Sequence, residues 1–282
     1  MLRQLEEVFF PETLQDAVRK KQQYGSAAAP IAGGTDLVPE PPAGIKCLID
    51  ITRLGLGYVE ESETEVRIGA TTTMQSLATS IPVAALAQGI LCTSSCEGWP
   101  RQVRNAATIG GNLASAGPFA DTPPALLALD AQAVVVEEGG EKVIDLENFF
   151  IDYRRTAIGD GILKEIRIPK TSKHTRGVFL KLCRTTVDKA MVNVAVLLDI
   201  EEGRCRKARV ALGAVTRIPY RVAEVEKVLC EVPLDADTID KAARMVVDLV
   251  DPMVDFRASA DYRREMSGVL VRRALTRLSQ AS

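Results

Sequence analysis

Two pairs of consecutive glycines are the residues of this chain whose types and spacing could do chemistry. The first pair lies in Ala32-Gly33-Gly34-Thr35-Asp36 and the second in Thr108-Ile109-Gly110-Gly111-Asn112. Glycine allows positive φ and lets another molecule approach the backbone closely. Consecutive N–H groups in such a turn can form a concave anion site without any charged side chain. Two such turns, each followed by a polar residue, predict one ligand with two phosphates, such as a dinucleotide.

A purely structural reading of the glycine pairs stays open at this stage. Gly-Gly also punctuates ordinary loops. Neither pair belongs to a Gly-x-Gly-x-x-Gly motif, and neither ends in Lys-Ser or Lys-Thr, so the two common nucleotide fingerprints are absent. A nucleotide bound by these turns would therefore occupy a different scaffold.

Composition excludes several classes of protein. The 282 residues suffice for two or three domains. The 35 basic residues nearly balance the 37 acidic ones, which gives no electrostatic reason to expect nucleic acid or an anionic membrane as partner. No apolar run approaches the roughly 20 residues of a membrane span, and the first residues lack the apolar stretch of a secretory signal. We therefore predict a cytoplasmic protein.

The side chains offer few catalytic or metal-binding groups. The six cysteines do not form a disulfide framework, and only Cys92 and Cys96 are close in the sequence. The single histidine, His174, lies in a polar segment, so a catalytic triad with histidine and a multi-histidine metal centre are excluded. We predict no metal site on this chain. The chemistry is then expected to reside on a bound cofactor.

The elements before residue 172 must position both glycine pairs. A strand, a helix beginning at Pro11-Glu12-Thr13 and a second strand lead into the first pair, which therefore follows a strand end. The segments after the first pair are predicted to contain helices and strands, and one loop lies directly before the second pair. The strands are expected near 47–51, 66–70 and 133–136, a hairpin turn at 137–140, helices over 76–87 and 125–129, and the loop over 99–105.

The last hundred residues follow a simpler order of elements. Three strands are predicted at about 177–185, 190–200 and 205–214, and three helices follow them. Ile239, Ala242, Ala243 and Val246 recur at helical spacing. Strands followed by helices are typical of an α+β module with its helices on one face of the sheet.

Several short segments, in one order along nearly the whole chain, make this sequence resemble a known family. They are Pro30-Ile31-Ala32-Gly33-Gly34-Thr35-Asp36-Leu37, Ile68-Gly69-Ala70-Thr71-Thr72, Val103-Arg104-Asn105-Ala106-Ala107-Thr108-Ile109-Gly110-Gly111-Asn112, Phe119-Ala120-Asp121-Thr122-Pro123, Ile166-Arg167-Ile168-Pro169, Lys181 with Arg184 and Asp188, and Asp261-Tyr262-Arg263-Arg264. The family is the FAD-binding medium subunit of the molybdenum hydroxylases, of the xanthine dehydrogenase and aerobic carbon monoxide dehydrogenase type.

The resemblance implies an α+β fold with a two-subdomain FAD-binding (PCMH-type) region, followed by a C-terminal antiparallel sheet packed on helices. We place the N-terminal FAD-binding subdomain at residues 1–55 and the second FAD-binding subdomain at 56–172. The C-terminal domain, with a three-stranded sheet plus helices, is placed at 173–282.

The resemblance also implies which residues hold FAD. Both glycine turns are expected to hold the diphosphate through backbone N–H groups, with polar side chains on the diphosphate, ribityl or ribose groups and apolar ones on the flavin ring. The expected cofactor-binding residues are Ile31, Ala32, Gly33, Gly34, Thr35, Asp36, Leu37, Thr108, Ile109, Gly110, Gly111, Asn112, Ser115, Asp121, Ile162, Leu163 and Lys181. Asn112, Ser115 and Asp121 are the polar members, whereas Ile162 or Leu163 would pack on the ring.

No side chain is expected to be catalytic, because the flavin carries the chemistry. Lys181 would approach the ring, where a cation raises the flavin reduction potential by Coulomb attraction. The chain departs from many relatives directly after Asp188, where Lys189 replaces an aromatic or branched apolar residue. We hypothesise that Lys189 leaves one flavin face more open or adds positive charge there.

The resemblance implies an electron-transfer role in a heterotrimer. Iron–sulfur clusters of the two-iron, two-sulfur type are expected on a small partner subunit and the molybdenum cofactor on a large one. The flavin would accept electrons and pass them to NAD or another acceptor. Because residues 112–121 contain no inserted cysteine loop, we predict no cluster on this chain. Two alternatives stay open: a free-standing FAD oxidoreductase of a small molecule, and a scaffold that has lost its flavin.

Overall fold

The N-terminal segment forms a parallel sheet, and the first glycine pair follows its carboxyl edge. The computed structural model describes residue 2 and residues 4–280, so residues 1 and 282, the predicted outer domain limits, lie outside the described residues. The elements are β1 (Glu7–Phe9), α1 (Leu14–Tyr24), β2 (Ala28–Ile31) and β3 (Cys47–Asp50). The strand order is β1-β3-β2, with both pairings parallel. The chain leaving β2 and the chain leaving β3 therefore emerge side by side, where ligands of such sheets gather.

Helix α1 begins where the sequence predicts. The Thr13 side chain accepts the N–H of Asp16, and the Asp16 carboxylate accepts the N–H of Thr13, which is a capping box. Ala17 and Val18 of this helix are buried against the sheet.

The middle segment is an antiparallel sheet covered by short helices. Its strands are β4 (Val59–Glu61), β5 (Glu65–Gly69), β6 (Gln132–Glu137), β7 (Gly140–Asp145), β8 (Phe150–Asp152), β9 (Arg155–Thr156) and β10 (Ile162–Pro169). Its helices are α2 (Met74–Ala78), α3 (Ile81–Ala84), α4 (Ile90–Cys96), α5 (Arg101–Ala106), α6 (Ile109–Ala114) and α7 (Thr122–Ala128). The sheet order is β4-β5-β10-β6-β7, and β8 with β9 forms a separate hairpin. Single 3₁₀ turns lie at Gly25–Ala27, Leu86–Gly89 and Leu146–Asn148.

Two expectations for this segment are wrong. The single helix predicted over 76–87 is broken into α2, α3 and a 3₁₀ turn, because Pro82 starts a new helix and Ala87 and Gln88 take positive φ. The loop predicted over 99–105 contains helix α5, which begins directly after Pro100. A six-residue helix is too short to show an apolar period, so the sequence pattern did not reveal it.

The C-terminal segment has the predicted order of strands and then helices. Its elements are β11 (Thr175–Leu182), β12 (Val192–Glu201), β13 (Arg204–Gly213), β14 (Tyr220–Arg221), α8 (Ala223–Leu229), α9 (Ala236–Leu249) and α10 (Ala260–Gln280). All neighbouring strands are antiparallel. The sheet has four strands rather than three, because β14 adds a two-residue edge. The predicted α+β class is confirmed. No helix among the described residues has the length and apolar character that crossing a membrane requires.

Strand β12 is buried on both faces and joins the middle and C-terminal segments. Val194 and Val196 face the core that α8, α9 and α10 cover. Ala195 and Leu197 point the other way, into the core of the middle segment. Successive side chains alternate between the faces of a strand, so this strand contributes to two cores. The C-terminal sheet is therefore packed against the middle segment.

Arg263, in the Asp261-Tyr262-Arg263-Arg264 motif, is completely buried. Its guanidinium donates to Asp255 Oδ1 at 2.7 Å and to the carbonyl oxygens of Met191 and Ala214. It also lies over the Phe119 ring, 5.2 Å from the centroid. The arginine therefore ties helix α10 to the sheet and to the segment before Asp121.

Replacing Arg263 by methionine is expected to lower the free energy of unfolding by about 2–4 kcal/mol, because it leaves two buried carbonyl oxygens without their side-chain donor and removes one of the two arginines that pair with Asp255. Chemical unfolding followed by circular dichroism measures the change. Arg264→Met is the matched control, since Arg264 pairs with Asp261 on the surface, and its effect is expected within about 0.5 kcal/mol. Equal unfolding midpoints for the two variants would contradict this role of Arg263.

Candidate functional site

The loop after β2 presents a row of free backbone donors. Within residues 4–280, no acceptor takes the N–H of Gly33, Gly34, Thr35, Asp36 or Leu37. The carbonyl oxygens of Gly34 and Asp36 are used, because they accept the N–H of residues 38 and 40. Gly34 has φ +66°, a conformation that favours glycine. Consecutive unpaired amides of this kind can bind an anion.

The first glycine pair touches the second glycine segment. A methyl group on Gly33 would lie 1.8 Å from the carbonyl oxygen of Ala106. Only glycine allows this approach, because any side chain at residue 33 would occupy the same space as that carbonyl group. The structure therefore brings together two segments that lie more than seventy residues apart.

The expectation that the second pair is a turn of free amides is wrong. Gly110 and Gly111 have no positive φ and belong to the first turn of α6. The N–H of Ile109 donates to Thr72 O at 3.0 Å, and that of Gly110 to Ala70 O at 2.9 Å. The N–H of Gly111 donates to the capping Thr108 hydroxyl at 3.1 Å.

The second glycine pair therefore serves packing and capping. A methyl group on Gly110 would lie 2.6 Å from Ala70 O, so Gly110 allows α6 to pack on the end of β5. The N–H of Thr108 donates to no acceptor in the part of the chain that the structure describes. Free amides for a phosphate thus come mainly from the first loop, together with Thr108.

A cleft of about 430 Å³ opens between the two segments. Its walls are small residues and hydroxyls, with no charged side chain. The lining residues are Ala32, Gly33, Thr52, Gly55, Gly57, Thr71, Thr73, Ala106 and Thr108. Small side chains leave the backbone accessible, and the threonines add hydrogen-bonding groups. The cleft suits an elongated polar ligand that is recognised by backbone groups.

The far end of α6 leads to a buried ion pair. The Asn112 side-chain oxygen accepts the Thr122 hydroxyl at 2.6 Å, directly beside Asp121. Ser115 donates its hydroxyl to Asn112 O at 3.0 Å. Six helical residues span about 9 Å, so α6 connects the cleft to the surroundings of Asp121.

Asp121 and Lys181 form that ion pair. Lys181 Nζ lies 2.6 Å from Asp121 Oδ2, and the two side chains are only 3% and 4% exposed. Asn193 donates to the other carboxylate oxygen at 2.8 Å. Burial raises the pKa of Asp121, whereas Lys181 and Asn193 oppose that rise. Gly98, at φ +79°, makes room for the ammonium, because a methyl group there would lie 1.9 Å from Nζ.

The remaining predicted residues are not all at this site. Ile162 and Leu163 of β10 are buried in two hydrophobic cores and do not line the cleft. Ile31 and Leu37 are partly buried against a small core beside the first loop. Lys189 is exposed, and its charge acts on Glu40.

Sequence reasoning missed Arg154, the cation next to the first loop. Its guanidinium donates to Glu40 at 2.7 Å, and the pKa of Arg154 is raised by that bond and by the nearby charge of Asp36. It occupies the tip of the β8–β9 hairpin at φ +52°. A single arginine in a short hairpin carries no sequence signal, because only the fold brings the hairpin to the loop. Gly98 and Asn193 were missed for the same reason.

No cysteine lines the cleft as the described residues form it. Cys92 and Cys96 lie on α4, where the Cys92 thiol is 3.2 Å from the carbonyl oxygen of Leu77. Within the described residues, no group of three or more histidine, cysteine or acidic side chains could hold a metal ion.

Comparison with known proteins identifies two family regions. The family described as "FAD binding domain in molybdopterin dehydrogenase" matches residues 3–171. The family described as "CO dehydrogenase flavoprotein C-terminal domain" matches residues 178–278. Together the two regions account for nearly the whole chain.

Individual relatives agree with both matches. The carbon monoxide dehydrogenase medium chain of Afipia carboxidovorans is 34% identical over 272 residues, covering 95% of this chain and 94% of that one. The 6-hydroxypseudooxynicotine dehydrogenase complex subunit alpha of Paenarthrobacter nicotinovorans is 30% identical, covering 94% and 92%. A chain of reconstituted CO dehydrogenase from Oligotropha carboxidovorans superposes with a TM-score of 0.95 at 31% identity, covering 100% of both chains. The chain therefore belongs to the molybdenum hydroxylase family of oxidoreductases, as one of its FAD-binding medium subunits.

Proposed function

We propose that the cleft binds FAD with its diphosphate on the loop from Gly33 to Leu37 and its flavin toward Asp121 and Lys181. The observation that carries this proposal is the row of unpaired N–H groups in that loop. Such amides are suited to donate hydrogen bonds to phosphate oxygens. No lysine or arginine lines the cleft, so no basic side chain there could bind the phosphates in place of these amides. Helix α6 leads from the cleft toward Asp121, so the proposed diphosphate and flavin positions lie at its two ends.

The chain's own residues then bind, orient and shield the cofactor. The first loop and Thr108 supply donors, and Gly33 keeps the two segments in contact. The Asp121–Lys181 pair sets the local charge, which is close to zero while both groups are ionised. Bound FAD supplies storage of two electrons, a chemistry that protein side chains lack.

We further propose that this subunit transfers electrons within a heterotrimer. Iron–sulfur clusters on a small subunit would supply the electrons, and a large subunit with the molybdenum cofactor would oxidise the substrate. The flavin would pass the electrons on to NAD or another acceptor. The names of the relatives, a medium chain and a subunit of a dehydrogenase complex, support this assembly. The six free cysteines favour the cytoplasm as its compartment.

The relatives' names do not carry a substrate over to this chain. One names carbon monoxide and the other 6-hydroxypseudooxynicotine, although both share the scaffold. We therefore assign substrate choice to the large subunit.

Gly33→Ala tests the cleft. We expect it to abolish FAD retention, because the methyl group would lie 1.8 Å from Ala106 O and separate the two segments. Flavin absorbance per chain after gel filtration measures the content. Gly139→Ala is the control, since the same methyl group there meets no heavy atom within 4 Å. Full flavin content in Gly33→Ala would refute the proposed cleft.

Replacing either member of the ion pair is expected to shift the flavin reduction potential, and the two shifts should have opposite signs. Asp121→Asn removes the carboxylate that pairs with Lys181 and so makes the local charge more positive, and the flavin reduction potential is expected to rise. Lys181→Met removes the cation, so the potential is expected to fall, most clearly at high pH where Asp121 is ionised. Shifts on the order of tens of millivolts are expected from Coulomb interactions, measured by spectroelectrochemistry. Shifts of the same sign would mean that the pair is only structural.

The electron path is tested in the complex purified from its native cells. Adding the substrate of the complex should first bleach the iron–sulfur absorbance and then the flavin absorbance, and NAD should reoxidise the flavin with formation of NADH. Removal of the small subunit should stop flavin reduction. A lone chain that oxidises a small molecule at full rate would instead support the free-standing oxidoreductase.

A further inference from the structure

Two loops of the C-terminal segment expose apolar side chains beside one another. Phe256 is 77% exposed and Val254 is 72% exposed, in the loop before α10. Val187, in the loop between β11 and β12, is 54% exposed. Arg184 of that second loop lies 5.3 Å from the Phe256 ring centroid, which joins the two loops. We call Arg184, Val187, Lys189, Val254 and Phe256 the Phe256 surface.

The aromatic ring of this surface is held in place although it is exposed. The guanidinium of Arg257 lies 4.7 Å from the Phe256 centroid, and Arg184 contacts the same ring. Arg257 pairs with Asp255 at 2.6 Å, and Arg184 pairs with Asp188 at 3.0 Å. An exposed aromatic held by arginines resembles the anchors of protein interfaces, where little mobility is lost on binding.

The charge of the surface indicates the chemistry of its partner. Arg184 and Arg257 each form an ion pair with a nearby aspartate, whereas Lys189 forms no ion pair with any residue that the structure describes. Lys189 is therefore a cation that no carboxylate pairs with directly, although its charge acts on Glu40. A complementary face would offer an apolar depression for Phe256 and Val254, with carboxylates at its rim.

The position of the surface relates it to the proposed cofactor site. The pKa of Glu40 is lowered first by its bond to Arg154 and also by the charges of Lys189 and Arg257. Glu40 follows the loop with the free amides by three residues, so charges of this part of the molecule act near the end of that loop. Arg257 also lies 4.7 Å from the ring of Phe119, close in sequence to Asp121. Through Arg257, the Phe256 surface thus lies beside the segment that leads to Asp121.

We propose that the Phe256 surface docks the small iron–sulfur subunit, through an apolar depression rimmed by carboxylates on that subunit. This inference rests on the proposed function. Electron transfer slows steeply with distance, so the donor subunit must cover a face that borders the cofactor. Exposed apolar residues with a polar rim mark such contact faces.

Reconstitution of the native complex from its separated subunits tests the inference. The flavin-containing chain is titrated with the isolated iron–sulfur subunit, and binding is followed by interferometry. Phe256→Asp and Val254→Asp should each weaken binding at least about tenfold, with flavin content and melting temperature unchanged. Ile81→Asp is the matched control, because Ile81 is 84% exposed on α3, outside this surface, and it should bind as the wild type does.

A charge experiment gives a second, independent readout. Wild-type affinity for the iron–sulfur subunit should fall as salt rises, and Lys189→Glu should flatten that dependence. A wild-type salt dependence in Lys189→Glu would overturn the acidic rim.

Other outcomes separate this inference from the proposed function. Unchanged binding of Phe256→Asp to the iron–sulfur subunit overturns the docking surface, as does a loss confined to the large subunit or to self-association of this chain. A wild-type chain that holds no FAD, or that does not bind the iron–sulfur subunit, would overturn the proposed function itself.

Discussion

The backbone of Gly33 lies against the carbonyl group of Ala106, with no room for even a methyl group between them. The cleft depends on this contact, because it fixes the loop at the edge of the parallel sheet against the end of α5, just before α6 begins. The loop after Gly33 keeps its amides free, while the amides of α6 are consumed by the chain itself. One segment therefore offers donors, and the other holds that segment in position.

The C-terminal segment completes the site through charge and packing. Lys181 and Asn193 reach from its sheet to Asp121, and burial makes each of these polar groups depend on the others. Strand β12 adds apolar side chains to the cores on both of its faces. Arg263 holds α10 to the same sheet through buried hydrogen bonds. Displacement of this segment would therefore leave Asp121 buried without its partners.

Local patterns predicted most elements, and they failed where tertiary packing decided the conformation. The start of α1 after Thr13 and the strands and helices after residue 172 follow from residue type and period. The second glycine pair was misread as a turn, because the same two residues also permit the tight packing of α6 on Ala70. A glycine in the sequence indicates that the backbone needs either close packing against a neighbour or a positive φ angle. It does not indicate which of the two applies.

By itself the sequence determined the fold class, the family and the presence of two glycine segments. These properties follow from short motifs and from their order along the chain, and both can be read without the structure. It also directed the chemistry to a cofactor, since it contains a single histidine. Only the tertiary structure decided which segment keeps free amides and that Lys181 is neutralised by Asp121. It also placed Arg154 beside the first loop and Ile162 in a core. These properties depend on hydrogen bonds and burial between distant residues, and spacing along the chain does not encode which distant groups meet.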